Sequence, residues 1–115
     1  MGIYGENAAC AYLVKQGYAI LARNFRYGRY GEIDIIAAKD GTVSFVEVKT
    51  RASRLCGRPA EAVTWAKRRK IYRCAEYYLQ CAGLLERLPA LSFDVIEIML
   101  DGAAGARLRH YPQCF

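Results

Sequence analysis

A chain of 115 residues that is 54% hydrophobic has the material for one domain with one modest core, and no room for a second. No apolar run reaches the roughly 18 residues of a spanning helix. Met1-Gly2-Ile3-Tyr4-Gly5-Glu6 also lacks the charged start and apolar stretch of a signal peptide, so a soluble cytoplasmic protein without a membrane is the expectation. The net charge of +6 is concentrated: nine basic residues and one acid lie between Lys49 and Arg73, the electrostatic footprint of a polyanion binder.

In chain order, Glu6 to Gln16 reads as a helix stopped by Gly17, with Glu6, Ala9, Cys10 and Leu13 on one face. Glu6 thus falls on the stripe that should face inward, an unusual place for a carboxylate. Tyr18 to Arg26 reads as a strand, Tyr27 to Gly31 as a turn, and Glu32 to about Ala38 as a second strand. Asp40-Gly41 is a hairpin signal, and Thr42 to about Thr50 a third strand rich in β-branched and aromatic residues. Arg51 to Arg58 is a basic loop. Pro59 can open a helical turn and Thr64 can cap a longer helix, in which Ile71, Cys74, Ala75, Tyr78, Leu79 and Ala82 repeat at helical spacing. Leu91 to Leu100 is a buried strand and Arg107 to Tyr111 a short last one. The predicted order is α-β-β-β-α-β-β. The second helix is long enough for a crossover that makes strands three and four parallel, which gives a mixed sheet with helices on its faces.

The five cysteines, Cys10, Cys56, Cys74, Cys81 and Cys114, form no C-x-x-C pair and read as small hydrophobes in a reducing compartment. His110 is the one histidine, which excludes a zinc site needing two and disfavours His-dependent nucleophilic chemistry.

The chemistry concentrates in Gly31-Glu32-Ile33-Asp34 and Phe45-Val46-Glu47-Val48-Lys49. Strand alternation puts Glu32 and Asp34 on one face with Ile33 and Ile35 opposite, and Glu47 with Lys49 on one face of the partner strand. A suitable hairpin register sets Asp34 beside Glu47. Two adjacent carboxylates need compensation, and Mg²⁺ (or Mn²⁺) is the usual partner when phosphate supplies further ligands. Lys49 adds a positive charge where a phosphoryl oxygen would sit. On an exposed strand the same Glu-x-Lys is ordinarily a surface ion pair. Here the strand is apolar on both faces before the charges, a second acid arrives through a tight hairpin, and the most basic segment follows.

Glu32 reads either as an outer group of this site or as a solvated strand start. Glu61 suits the first turn of a helix. Asp94 has a structural role, accepting from Arg51 or a backbone amide. Among the aromatics that interleave with Arg26 and Arg29, Phe25 and one tyrosine are as plausibly core as base-stacking, and Trp65 is the better candidate for exposure.

These residues, with Gly5-Glu6, Gly17-Tyr18, Asn24-Phe25-Arg26, Thr50-Arg51, Pro59-Ala60-Glu61-Ala62-Val63, Lys67 and Phe93-Asp94-Val95-Ile96 in this order, resemble the uncharacterised bacterial family called YraN-like. That family is similar in fold to archaeal Holliday-junction resolvases of the PD-(D/E)XK nuclease superfamily. The resemblance covers nearly the whole chain as one domain, residues 1–115, and implies a restriction-endonuclease-like core. It assigns Asp34, Glu47 and Lys49 to the D…E-x-K signature, with Asp34 and Glu47 on the metal, and adds Glu6 as a first-helix acid of the catalytic set. Trp65 departs from the proline expected there in many relatives. The function implied is a metal-dependent endonuclease on DNA, branched or junction DNA included, with Arg51, Lys67, Arg68, Arg69, Lys70 and Arg73 on phosphates and a homodimer by analogy. The rival is a non-catalytic nucleic-acid-binding or assembly module that keeps the acids for stability.

Overall fold

The first apolar stripe, Ala9 and Leu13 with Cys10 beside them, is buried on one side of helix α1 (Gly2–Lys15). The chain leaves that helix with the Tyr18 amide donating to the Leu13 carbonyl at 2.9 Å. The computed structural model describes residues 2–52, 61, 63–87, 89–100 and 105–115. After α1 come strands β1 (Ala19–Arg26), β2 (Glu32–Lys39) and β3 (Thr42–Arg51), helix α2 (Trp65–Cys81), a 3₁₀ turn (Leu85–Arg87), and strands β4 (Ala90–Leu100) and β5 (Ala106–Tyr111). The predicted order holds. The Pro59 turn, most of the Arg51–Arg58 loop and Cys56 lie outside the described residues.

Two local signals act as predicted. Asp40 and Gly41 both take positive φ, 51° and 79°, the backbone that a two-residue hairpin requires. Thr64 is extended (φ −63°, ψ 160°) and its hydroxyl accepts from the Lys67 amide at 3.2 Å, capping α2.

The sheet runs β1-β2-β3-β4-β5. β3 pairs β4 in parallel through the α2 crossover, and the other neighbours are antiparallel. β3 therefore lies at the centre, which is why it is apolar on both faces. One face carries Ile36, Val43, Phe45 and Val95 against Ile71, Cys74, Ala75 and Leu79 of α2. The other carries Ile35, Val46, Ile96 and Ile98 against Ala9 and Leu13 of α1. Each large side chain buried this way contributes about 1.5–3 kcal/mol.

Gly5 sets how closely α1 approaches the sheet. A Cβ there would collide with Thr50 Oγ1 and touch Val48 Cγ1, both on β3. The missing side chain lets the helix rest on β3 one residue before Glu6. Among the described residues no helix is long and apolar enough to cross a membrane. The four described cysteines are free, with Cys74 buried and Cys81 exposed.

Candidate functional site

The β2–β3 ladder runs from Lys39↔Thr42 to Ile35↔Val46. The next residues in that register are Asp34 and Glu47. There the Asp34 carboxylate takes over, with Oδ2 accepting the Val48 amide at 2.8 Å. An acid side chain thus holds a main-chain donor at the position where the two strands stop pairing.

The faces of β2 differ from strict alternation at this point. Ile33 packs on the α2 side with Ile36, whereas Ile35 packs on the α1 side, so Ile33 and Ile35 do not share a face as the sequence predicts. Opposite this stretch, Asn24, between the partner pairs Arg23↔Ile35 and Phe25↔Ile33, has φ 51°. A left-handed residue in a ladder re-aims its neighbours, as a bulge does.

Glu47 is 5% exposed, and its Oε1 lies 2.7 Å from Lys67 Nζ and 3.8 Å from Lys49 Nζ. Burial, then the Glu47 charge, then Glu6 push Asp34 up to about 7, against the Val48 hydrogen bond and Lys67, which act the other way. Burial and the neighbouring Lys67 ammonium draw Lys49 below the ordinary lysine value. Burial also opposes the charge on Lys67, but its bond to Glu47 wins and its pKa is raised. Glu6 stands 3.9 Å from Arg23 Nη2, which also donates to Asn7 Oδ1 at 2.7 Å. Four elements, α1, β2, β3 and α2, thus bring three acids and two lysines together.

The basic residues divide. Lys67 belongs to the acid cluster. Its position was legible, because it precedes Ile71 by four residues on the apolar stripe of α2 and so must face the sheet. Arg51 Nε stands 3.1 Å from Glu97 Oε2, each side chain 12% exposed, which puts Arg51 in a half-buried ion pair on β3 and β4. Arg68 Nε donates to the Val63 carbonyl at 2.9 Å, and its guanidinium lies over the Trp65 ring at 4.6 Å. Arg69, Lys70 and Arg73 line one surface cavity with Arg29 and Tyr30. Trp65 is exposed, at 73%.

The remaining acids resolve separately. Glu32 meets Arg26 at 3.5 Å on the surface, the solvated alternative. Glu61 is exposed. Asp94 is fully buried, takes Ser92 Oγ at 2.5 Å and the Gln113 amide at 3.3 Å, and lies 2.7 Å from His110 Nε2. Of the two alternatives for its donor, Arg51 or a backbone amide, it is a backbone amide, that of Gln113, that bonds to it. Asp94 pairs beside Val46 and Arg51 beside Met99, about 16 Å apart along the strands and on opposite faces. Glu97 and His110 were the residues missed, because their partners depend on strand register.

Asp34 and Glu47 offer hard oxygen donors and no nitrogen or sulfur. Among the described residues no three Asp, Glu, His or Cys side chains stand close enough to ligate one ion. A cation here would take two carboxylates and complete its shell from backbone, water or substrate oxygens, the pattern of Mg²⁺. The poorly neutralised Asp34 fits such an ion.

Fold and site together define a small mixed α/β domain whose acids and lysines converge at the open end of the central hairpin. The chain belongs to the uncharacterised protein family UPF0102, whose model matches residues 5–98. It is 48% identical over 98 residues to a UPF0102 protein of Clostridium perfringens, covering 85% of this chain and 78% of that one. It is 50% identical over 100 residues to one of Clostridium acetobutylicum, covering 87% and 80%. With one of Syntrophomonas wolfei it shares 41% over 115 residues, covering 100% and 96%.

Proposed function

We propose that this chain is a cytoplasmic Mg²⁺- or Mn²⁺-dependent endonuclease that hydrolyses phosphodiester bonds in DNA, branched or junction DNA included. The observation that carries the reading is the adjacent pair of half-buried Asp34 and buried Glu47, with Lys49 3.8 Å from Glu47. Like charges set side by side in a half-dry site destabilise a fold unless a cation is expected there. The resemblance to the D…E-x-K signature supports the same conclusion.

Asp34 and Glu47 would hold the ion. When bound, the ion neutralises charge on the phosphate and makes a water easier to deprotonate. Asp34 is oriented by the Val48 amide. Lys49, drawn down from the ordinary lysine value, can hold or pass a proton near the attacking water and stabilise charge on a phosphoryl oxygen. Glu6, carried on α1, adds negative charge beside the pair and favours retention of the cation. Lys67 holds Glu47 in place and faces the incoming phosphate. Arg69, Lys70 and Arg73 attract the DNA backbone. Paired cuts across a junction call for two active sites, so a homodimer is part of the proposal for that substrate.

A second reading, a binding or assembly module without catalysis, is favoured by the Lys67–Glu47 bond, which already neutralises one acid. Cleavage of labelled duplex, single-stranded, flap and four-way-junction DNA in Mg²⁺, Mn²⁺ and EDTA decides between them. The nuclease reading expects metal-dependent cutting by the wild type, with Glu47→Gln and Lys49→Ala slowed by about 10²–10³-fold. Binding of DNA with no cutting in either metal overturns it in favour of the module.

A further inference from the structure

The β1–β2 turn is built against α2. Gly31, with φ 149°, is so close to the helix that a Cβ would stand 3.2 Å from Lys70 Cβ and 3.4 Å from Cys74 Sγ. The turn closes on itself: the Tyr30 amide donates to the Tyr27 carbonyl at 2.9 Å and the Tyr27 amide to the Gly31 carbonyl at 3.1 Å. Tyr27 is fixed from behind by stacking on Tyr77, with ring centres 3.9 Å apart and planes 8° from parallel. Tyr30 sits on the outside of this stack, 5.0 Å from Tyr27 and 45% exposed. The Arg73 guanidinium lies over its ring at 5.3 Å.

Around Tyr30, a cavity of about 380 Å³ is lined by Arg29, Ala66, Arg69, Lys70 and Arg73. Among the described residues none of these four cations stands in an ion pair. Four uncompensated positive charges around one concavity attract an anion. A second cavity, about 340 Å³, shares Ala66 and Lys70 with the first and reaches Glu32, Thr64 and Lys67. Lys67 is bonded to Glu47. Through these shared walls the two cavities lie side by side, a surface track from the basic, aromatic corner to Lys67.

We propose that this track takes a single nucleic-acid strand, with one unpaired base stacked on the Tyr30–Arg73 pair and its phosphates between Arg29, Arg69 and Lys70. The inference deepens the nuclease reading by naming the substrate as DNA with an unpaired stretch beside the cut. An aromatic ring and a guanidinium plane are both surfaces on which bases stack, and only an unpaired base offers its face to them. The fixed turn holds the ring in advance, which lowers the cost of ordering it on binding. From Lys67 to Arg73 is about 9 Å along the helix axis. At roughly 3.4 Å per stacked nucleotide, the held base lies two or three nucleotides from the phosphate at the acids.

The test is binding in EDTA, where no metal is present and nothing is cut. Its probes are a duplex with a single-stranded overhang carrying 2-aminopurine and the same base inside a blunt duplex. The overhang is expected to bind more tightly and to change its fluorescence. Tyr30→Ala should weaken overhang binding by about 5- to 100-fold while blunt-duplex binding stays within twofold, and Tyr30→Phe should restore it. Circular dichroism of both variants checks the fold. Equal binding of both probes by wild type, or equal losses on both in Tyr30→Ala, overturns the proposal. Because catalysis is absent from the readout, failure to cleave in Mg²⁺ leaves this result standing. Conversely, cleavage without overhang preference sinks this inference alone.

Discussion

Two aspartates in the same sheet, one fully buried and one half-buried, live in opposite circumstances. Asp94, at 0% exposure, is surrounded by donors: the Ser92 hydroxyl, the Gln113 amide and His110, which in turn meets Tyr12 OH at 3.2 Å. Among the described residues Asp34 has one hydrogen-bond donor, the Val48 amide, and it faces Glu47 and Glu6, which with burial push it up to about 7. Burial alone therefore does not set the two apart. What separates them is compensation, full around Asp94 and incomplete around Asp34 among the described residues, and it is the second kind of group that the proposed function uses.

The contrast is sharpest under mutation. Asp94→Ala strands three polar partners in the interior and should cost about 3–5 kcal/mol, read by urea unfolding. Cleavage per folded molecule should not change; a loss of activity beyond the loss of folded protein would break the comparison. Asp34→Asn should do the reverse. The ordinary carboxylate value is 3.8 and folded Asp34 titrates near 7, so between these values the folded chain binds the extra proton. Its stability then falls as pH rises from about 4 to about 7 and levels off above. Asparagine removes that penalty, and at pH 8 the metal-free variant should be more stable by about 1–3 kcal/mol, the gain vanishing near pH 4. A destabilised Asp34→Asn at pH 8 would show that the acid is structural. The smallest effect belongs to the basic corner. Arg69→Ala should leave stability within about 0.5 kcal/mol and lower the slope of log affinity against log salt by about 0.9, measured by DNA titration at several salt concentrations.

Much of this was legible in the residues. Asp40-Gly41 specifies the hairpin, Thr64 the start of α2, and the length of α2 the parallel crossover, and a hairpin of that kind can set Asp34 beside Glu47. These are local signals, each carried by a few consecutive residues. What escaped depends on partners distant in the chain. The face of Ile33 departs from strict alternation where the neighbouring strand carries the left-handed Asn24. Arg51 finds Glu97, and Asp94 finds His110, only once the registers of β3, β4 and β5 are known. Lys67 is the instructive exception. Its spacing from Ile71 already turned it inward, yet its charge invited assignment to the solvent-facing basic stripe with Arg69 and Lys70.

The proposed function requires the pair Asp34 and Glu47 to bind a divalent cation. Thermal unfolding at pH 8 with rising Mg²⁺ or Mn²⁺, wild type beside Asp34→Asn, tests it most directly. The wild-type midpoint should climb with metal as a bound ion requires, while Asp34→Asn starts higher without metal and does not respond. A wild type indifferent to both ions, or a variant that climbs in parallel with it, would mean that the pair holds no cation.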